Sequence, residues 1–478
     1  MATFYFLPVA RYILALLGAP ATLFPLSRYG TMRLHPLRLI KSFFSLLALA
    51  AVLAPCAHAG EVRTLTLEQA LELAAAHNRA IARAVEFRNL AQGVYVAERA
   101  AALPQLLVKG TLAREEDKAL ETPAYDRREA SLQLDQALFT WGEVQAGIRA
   151  AKIGLLTADE RLRASRQEAL RDTSVAFYDV LLARELNSVF TENLAQKSRR
   201  LREARERLAV GVATDYDLLV AEVAESNARP EVVRTDNLIR SRRDRLRLVL
   251  GLDQAVDATG ELSALLVDPP GYAEALAIAR DRRPELRDLR NRIGIAEELV
   301  TIARAGDKPR LDLTGNYGWK ELDADSTNLD GEKWDLGLKL SWPIFDGLRT
   351  SGQVQQARSE RDSLQIDELQ LLDSVAVENR EAIDRINVAI ELVRALEGTV
   401  AQAQKLLELA EKGFEYGVKI RLEVDDAELN LRQAQSSLAL ARRDYLVAEV
   451  DLARAMGILG EDRFPGLPAM PAAAANPR

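Results

Sequence analysis

The sequence predicts a mainly α-helical fold with a small β part. It has duplicated long helical hairpins, suited to the wall of a coiled-coil tunnel, and four transmembrane β-strands per protomer. Three observations lead there. One unit is written twice, about 205 residues apart. Two proline-free stretches carry heptad-like apolar repeats much longer than a globular helix. Between the helices the apolar period shortens to every second residue, and tryptophan concentrates there.

The duplication is visible in paired segments. Glu68-Gln69-Ala70-Leu71 returns as Ala273-Glu274-Ala275-Leu276, Asn78-Arg79-Ala80-Ile81 as Arg283-Pro284-Glu285-Leu286, and Leu103-Pro104 as Lys308-Pro309. Phe139 matches Phe345, Gly211-Val212 matches Gly417-Val418, and Gly251-Leu252 matches Gly457-Ile458. The offset holds at 205 or 206 throughout, which chance does not produce. The chain accordingly divides into a signal-peptide region (1–59), a first repeat (60–264), a second repeat (265–463) and a disordered tail (464–478) rich in proline and alanine.

Residues 1–59 hold five basic residues and no acid, and the remainder has 58 basic against 70 acidic residues, a net charge near −12. After Met32, the bases Arg33, Arg38 and Lys41 precede an apolar run, Ser42–Leu53, and the small-x-small site Ala57-His58-Ala59. This is the layout of a secretory signal cleaved before Gly60, with translation expected to start at Met32. Leu53-Ala54-Pro55-Cys56 offers a lipobox as the competing reading, but proline just before the cysteine disfavours acylation. Cys56 is the only cysteine, so cleavage leaves no thiol, disulfide or thiolate metal site. His77 is the single remaining histidine, and a lone helical histidine is a surface or packing residue before it is a ligand. No later run of about 20 apolar residues provides a membrane helix.

Gly142–Val210 and Gly347–Tyr416 read as nearly continuous helices, each roughly 100 Å long at ~1.5 Å per residue. In the second, Ala389, Leu392, Leu396, Thr399, Ala403, Leu406 and Ala410 form one seam. Ile383, Ile386, Ile390, Val393, Val400 and Leu407 form another. Two seams call for a neighbour on each side, as in a wall of helices. Shorter return helices follow, Asp215–Leu250 and Glu423–Met456, stopped by Gly251 and Gly457. Pro230 is expected to kink the first. Each repeat is thus a helical hairpin with its tip at Gly211 or Gly417.

In Trp334–Trp342, Trp334, Leu336, Leu338, Leu340 and Trp342 alternate with Asp335, Gly337, Lys339 and Ser341. Leu311, Leu313, Tyr317 and Trp319 alternate with Asp312, Thr314, Asn316 and Lys320, and the first repeat follows with Leu106, Val108, Leu112, Leu132 and Leu134. Runs of about 9–11 residues with one apolar face suit tilted membrane strands. All four tryptophans, Trp141, Trp319, Trp334 and Trp342, lie in or beside these strands, as an aromatic girdle requires. The polar links Glu115–Arg128 and Glu321–Lys333 are expected to be outward loops. Four strands cannot close a barrel, and lipid tolerates no open edge, so three copies supplying about twelve strands are expected.

These features resemble the TolC family of outer-membrane efflux proteins over residues 60–460. The resemblance is carried by Leu65–Leu71 with Asn78, Leu103-Pro104-Gln105-Leu106, Gln136-Ala137-Leu138-Phe139, Pro343–Gly347, and the tips Val210–Asp217 and Tyr416–Asp426. It implies a homotrimer with a 12-stranded barrel in outer-membrane lipid and a helical tunnel in the periplasm. It also implies docking of a periplasmic membrane-fusion adaptor and an inner-membrane RND or ABC transporter at the tips, around Gly211, Val212, Gly417 and Val418. The duct would serve a tripartite efflux pump or type I secretion. One departure is Phe139-Thr140-Trp141-Gly142, where the family prefers Asp-Gly-Gly after the phenylalanine, at the turn into the first long helix. By the same resemblance Glu423 and Asp426 line an acidic aperture ring, and Asp217 on the first tip links to Lys419 on the second. The family's tyrosine partner falls on Phe414, which cannot donate a hydrogen bond, so the gate is expected to be weakly latched. Asp425 reads as a plain first-turn acid.

The basic clusters Lys197–Arg207 and Arg240–Arg247 are interleaved with acids on a negatively charged chain, so they read as solvated helix faces and not as a nucleic-acid site. No phosphate loop, metal spacing, cofactor motif or nucleophile arrangement is present, so no enzyme is expected. The alternative is a periplasmic coiled-coil adaptor of the same machinery, but that class has one hairpin and compact β domains. The latch assignment predicts that Asp217→Ala raises single-channel conductance above wild type; unchanged conductance would remove this residue from the gate.

Overall fold

Capping residues set the element order. The computed structural model describes residues 62–117, 122–263, 265–324 and 327–460. The Met32 start, the leader with Cys56 and the 464–478 tail lie outside them. Strand β1 (Arg63–Leu65) leads into α1 (Leu67–His77), opened by a reciprocal box in which Gln69 N donates to Thr66 Oγ1 at 3.3 Å and Thr66 N to Gln69 Oε1 at 3.1 Å. Asn78 ends α1 and opens α2 (Arg79–Ala100), accepting from the N–H groups of Ala80 and Ile81 at 2.8 and 3.3 Å. There follow β2 (Gln105–Asp117), β3 (Thr122–Phe139), α3 (Glu143–Ala209), α4 (Asp215–Leu250) and β4 (Val256–Ala258), which pairs in parallel with β1. The second half runs α5 (Tyr272–Arg282), α6 (Pro284–Arg304), β5 (Arg310–Ala324), β6 (Thr327–Ser341), α7 (Arg349–Glu415) and α8 (Arg421–Ala455). The long helices α3 and α7 have 67 residues each.

The turn into each long helix is the same despite different residues. Trp141 and Gly142 are both left-handed (φ 50° and 86°), and so are Gly347 and Leu348 (φ 70° and 67°). Thr140 Oγ1 accepts from Val144 N at 3.3 Å, and Asp346 Oδ2 accepts from Thr350 N at 2.8 Å. The departure at Phe139–Gly142 therefore leaves the turn intact, with Trp141 and Leu348 each held in a backbone state that costs about 1–2 kcal/mol. At the far ends, Gly251 and Gly457 have φ 71° and 73°. A Cβ at Gly251 would collide with the His77 carbonyl, and one at Gly457 with the Arg282–Arg283 backbone. The two stops thus let the return helices press against the α1–α2 and α5–α6 junctions.

Two predicted boundaries need correction. The strands do not stop at Glu115 and Glu321. Pairing continues to Asp117–Thr122 and Ala324–Thr327, so strands of 13, 18, 15 and 15 residues replace most of the expected loops. Ladder hydrogen bonds are indifferent to side-chain polarity, and the charges meet across strands: Arg127–Glu115 at 3.3 Å and Arg128–Glu321 at 3.2 Å. The second return helix starts at Arg421, not Glu423. Helix α4 is continuous across Pro230, whose exposed position lets the carbonyl one turn earlier reach solvent.

The helices form two four-membered layers sharing α3 and α7. Beside the sheet the order is α2–α3–α6–α7, and towards the tips it is α4–α3–α8–α7. The second predicted seam of α7 is covered: Ile383, Ile386, Ile390 and Val393 are buried, Val400 and Leu407 half-buried. Of the first seam only Ala389, Ala403 and Ala410 are buried, while Leu392, Thr399 and Leu406 stay exposed. Among the described residues this seam of the helix is left largely uncovered.

The main core lies at the waist, where α1, β1, β4, α3, α4, α7 and α8 meet around Leu65, Leu246, Val256, Ile386, Tyr445 and Leu452. The Tyr445 hydroxyl accepts from Val267 N at 2.9 Å and faces two acceptors, Leu265 O at 3.0 Å and Glu449 Oε1 at 2.8 Å. One hydroxyl proton cannot serve both. A protonated Glu449 donating to Tyr445 completes the set, and burial pushes the Glu449 carboxyl up to about 7. Its folded value lies above its unfolded one, so the stability it contributes is full below about pH 4 and lost as pH rises through about 7. Glu449→Gln, which can donate without a proton, should flatten the fall in Tm between pH 5 and pH 8; an unchanged slope would assign that fall elsewhere.

Candidate functional site: the sheet face and the hairpin tips

The four-stranded sheet runs β2-β3-β5-β6 with every pair antiparallel. Register sorts its residues into two faces. Rows across one face read Leu106–Leu134–Gly315–Leu336, then Val108–Leu132–Tyr317–Trp334, then Gly110–Ala130–Trp319–Glu332, where the first charge enters, with Gln136–Leu313–Leu338 and Phe139–Leu311–Leu340 nearer the helices. Val108 is 77% exposed and Trp334 73%. The next row, Leu112–Arg128–Glu321–Asp330, ends the apolar band with charge. The other face is polar, with Lys109, Gln133, Asn316 and Asp335. Tryptophans mark both limits of the band. Trp319 and Trp334 lie towards the charged row, Trp141 and Trp342 at the helix-proximal end, and all four are exposed. Trp141 stacks edge-to-face on Phe139 with centroids 5.2 Å apart.

At the tips, α3 closes with Val212 N donating to Arg207 O (2.9 Å) around left-handed Gly211, and α7 with Val418 N donating to Gly413 O (2.8 Å) around left-handed Gly417. Val212 and Val418 project into solvent, 75% and 78% exposed. Asp217 and Glu423 occupy equivalent places. Asp217 accepts from Thr214 N at 2.9 Å, and Glu423 from Ile420 N at 3.0 Å, each capping its own helix. Hydrogen bonds from the Thr214 backbone and hydroxyl hold the Asp217 carboxyl below its usual range. Lys419, then the Ile420 N–H, do the same for Glu423.

The structure does not bring Asp217 and Lys419 together within the protomer. Lys419 Nζ donates to Glu423 at 2.5 Å, so a proposed latch residue and a proposed ring residue pair with each other. Asp426 is exposed and has no ion pair among the described residues. Phe414 lies under the Arg421 guanidinium, 5.3 Å from the ring centroid.

The hairpins are joined elsewhere, through residues the sequence left as solvated or plain. Lys197 and Arg200 on α3 face Asp425 and Glu428 on α8. Lys197 Nζ lies 3.0 Å from Asp425 and 2.8 Å from Glu428, Arg200 lies 2.8 Å from Asp425 and also grips Glu428, and Gln196 donates to Glu428 at 2.6 Å. The two cations are 12% and 14% exposed and Glu428 only 2%. Burial pulls Lys197 and Arg200 down from their usual values. Burial raises Asp425, but Lys197 and Arg200 more than offset this and leave it lowered. Asp425 is thus a cross-hairpin partner, and Lys197 and Arg200 are not solvated. In the other basic cluster Arg243 meets buried Asp257 at 2.5 Å and Arg242 meets Asp179 at 3.4 Å, both arginines staying partly exposed, while Arg240 and Arg245 are exposed as expected. The available signal was spacing: two bases three apart and two acids three apart on helices destined to be neighbours. Lys197, Arg200 and Asp425 of this network also border a cavity of about 640 Å³ between the tips, lined further by Arg207, Tyr216 and Phe414.

Among the described residues no helix is long and apolar enough to cross a membrane. Comparison with known proteins places the chain in a family. The outer membrane efflux protein family matches twice, at residues 70–252 and 275–458. Outer membrane protein TolC of Vibrio cholerae is 25% identical over 384 residues, covering 78% of this chain and 86% of that protein. The alkaline protease secretion protein AprF of Pseudomonas aeruginosa is 27% identical over 387 residues, covering 76% and 78%. The crystal structure of a membrane protein from Pseudomonas aeruginosa shares the fold with a TM-score of 0.73 at 24% identity, covering 82% of this chain and 93% of that one. The chain belongs to the outer membrane efflux protein family and is an outer-membrane channel protein, not a periplasmic adaptor.

Proposed function

We propose that three copies assemble into a passive exit duct of an export machine, with a 12-stranded barrel in the outer membrane and a helical tunnel beneath it. The observation that carries this is the sheet itself. Its apolar face is exposed, and the outer edges of strands β2 and β6 have no pairing partner among the described residues. The helices support the same closure. On one side α4 leaves Leu219, Val223 and Val233 uncovered, and on the other α7 leaves Val388, Leu392 and Leu406. Counted from the tips, Val223 and Leu406 stand at nearly the same height, so α4 of one copy can cover the open seam of α7 in the next.

In this reading Trp141 and Trp342 sit at one membrane interface and Trp319 and Trp334 near the other. Residues 60–264 and 265–463 are the two repeats, each contributing one hairpin to the wall. The tips at Gly211, Val212, Gly417 and Val418 receive a periplasmic adaptor, which couples the duct to an inner-membrane RND or ABC transporter. Glu423 and Asp426 from three copies ring the aperture, and Lys419 tempers that ring through its pair with Glu423. Asp217, Lys419 and Phe414 meet other copies at the gate, while Lys197, Arg200, Asp425 and Glu428 hold the two hairpins of one copy together. The duct works as a conduit without catalysis or a cofactor, and cargo is chosen by the transporter that feeds it.

The processed chain lacks cysteine, which makes cross-linking clean. Val223→Cys with Leu406→Cys, treated with a bis-maleimide in outer-membrane vesicles, should give an SDS-stable trimer that neither single variant gives; monomer alone would contradict the assembly. Glu428→Gln strands buried cations and should destabilise by about 3 kcal/mol or more in denaturant melts. Asp425→Asn, at a site 41% exposed, should cost only about 1 kcal/mol. Equal losses would show that burial of the network is not what matters.

A further inference from the structure

With the apolar face turned to lipid, the polar face of the sheet lines the lumen, and behind the apolar band its charges are sorted by strand. The central strands β3 and β5 carry three acids, Glu129, Asp135 and Asp312, against Arg310 and Lys320. Arg310 holds Asp312 at 3.0 Å, and Lys320 stands directly across from Glu129. The edge strands differ. β2 carries Lys109, and β6 carries Lys333 and Lys339. Their one acid, Asp335, accepts from Asn316 Nδ2 at 3.0 Å. The three lysines are exposed and have no ion-pair partner among the described residues; Lys339 stands across from Asp312, which Arg310 already holds, while Lys109 and Lys333 stand across from Ser131 and Gly318. Gly331 and Gly337 beside them on β6 leave open space, with nothing within 4 Å of an added Cβ.

Closure puts β6 of one protomer beside β2 of the next, so Lys333 and Lys339 of one copy and Lys109 of its neighbour gather at the junction. We propose that each protomer seam forms a basic strip on the barrel lumen, built from Lys333 and Lys339 of one copy and Lys109 of its neighbour, which binds carboxylate-rich polyanionic segments of cargo. The proposal rests on the trimeric duct. The strip is incomplete in a single chain, and it exists only if the sheet closes. A surrounding low-dielectric wall strengthens the field of charges facing the lumen. Screening within about 8 Å at physiological salt confines that field to each strip, so a chain moving along the wall feels it. The central strands between seams carry a slight excess of acid, which makes the lumen alternate in sign around its circumference.

The full-length trimer in a planar bilayer tests this, with short poly-L-glutamate added on the barrel side. Wild-type conductance should be blocked. The combined variant Lys109→Gln, Lys333→Gln and Lys339→Gln should need roughly tenfold more polymer or higher. The corresponding triple arginine variant should retain the block, and rising salt should weaken it. Equal block of wild type and glutamine variant, or equal block of wild type by poly-L-lysine from that side, overturns the proposal. Should the triple glutamine variant not assemble, Lys339→Gln alone must still show weakened block. A wild-type protein that opens no pore refutes the duct itself, a result distinct from pores that open and ignore polyglutamate.

Discussion

An open four-stranded sheet with an apolar outer face is the constraint on which the rest depends. Strands β2 and β6 present unpaired N–H and C=O groups along their edges. In hydrocarbon each unmet group costs several kcal/mol, which is the physical ground for the proposed closure by other copies. The helices repeat the same lateral order. The α2 and α4 edge continues the β2 side, the α7 edge continues the β6 side, and both leave apolar side chains uncovered. Closing the sheet therefore closes the wall of helices beneath it.

A wall of long, alanine-rich helices faces a second difficulty, because smooth surfaces can slide. The α3–α8 contact meets it with charge. Besides the Lys197, Arg200, Asp425 and Glu428 cluster, Arg443 meets Asp179 at 2.7 Å, Arg171 meets Asp451 at 2.8 Å and Arg454 meets Glu168 at 3.2 Å. The bases come from α3 in some rungs and from α8 in others, so a one-turn slip would bring like charges together. Half-buried pairs of this kind add little net stability, and their use here is to define register. They also tie the two hairpins into a unit.

Local chemistry made much of this legible. The 67-residue helices, the glycine stops and the four strands follow from period, proline placement and left-handed glycines, all of which act over a few residues. The strand ends were misplaced because charge marks the limit of the lipid band, while backbone pairing runs on past it. The turn at Trp141 was hidden for another reason. Trp141 lies in the β3–α3 turn, where Thr140 caps α3, and the local preference of tryptophan is overridden.

The tip residues divide in the same way. Sequence alone identified the acids and the exposed glycine turns, because each is defined within one helix start or one helix end. It did not tell that Asp217 and Glu423 spend their oxygens on their own caps, nor that Asp425 reaches across to α3. Partner choice depends on the rotation and height of one helix against another, which are set by packing over the whole waist. Periodicity thus determined which surfaces are apolar and how long each element is. Tertiary structure decided which charges meet, because that is a matter of distance between segments more than 200 residues apart.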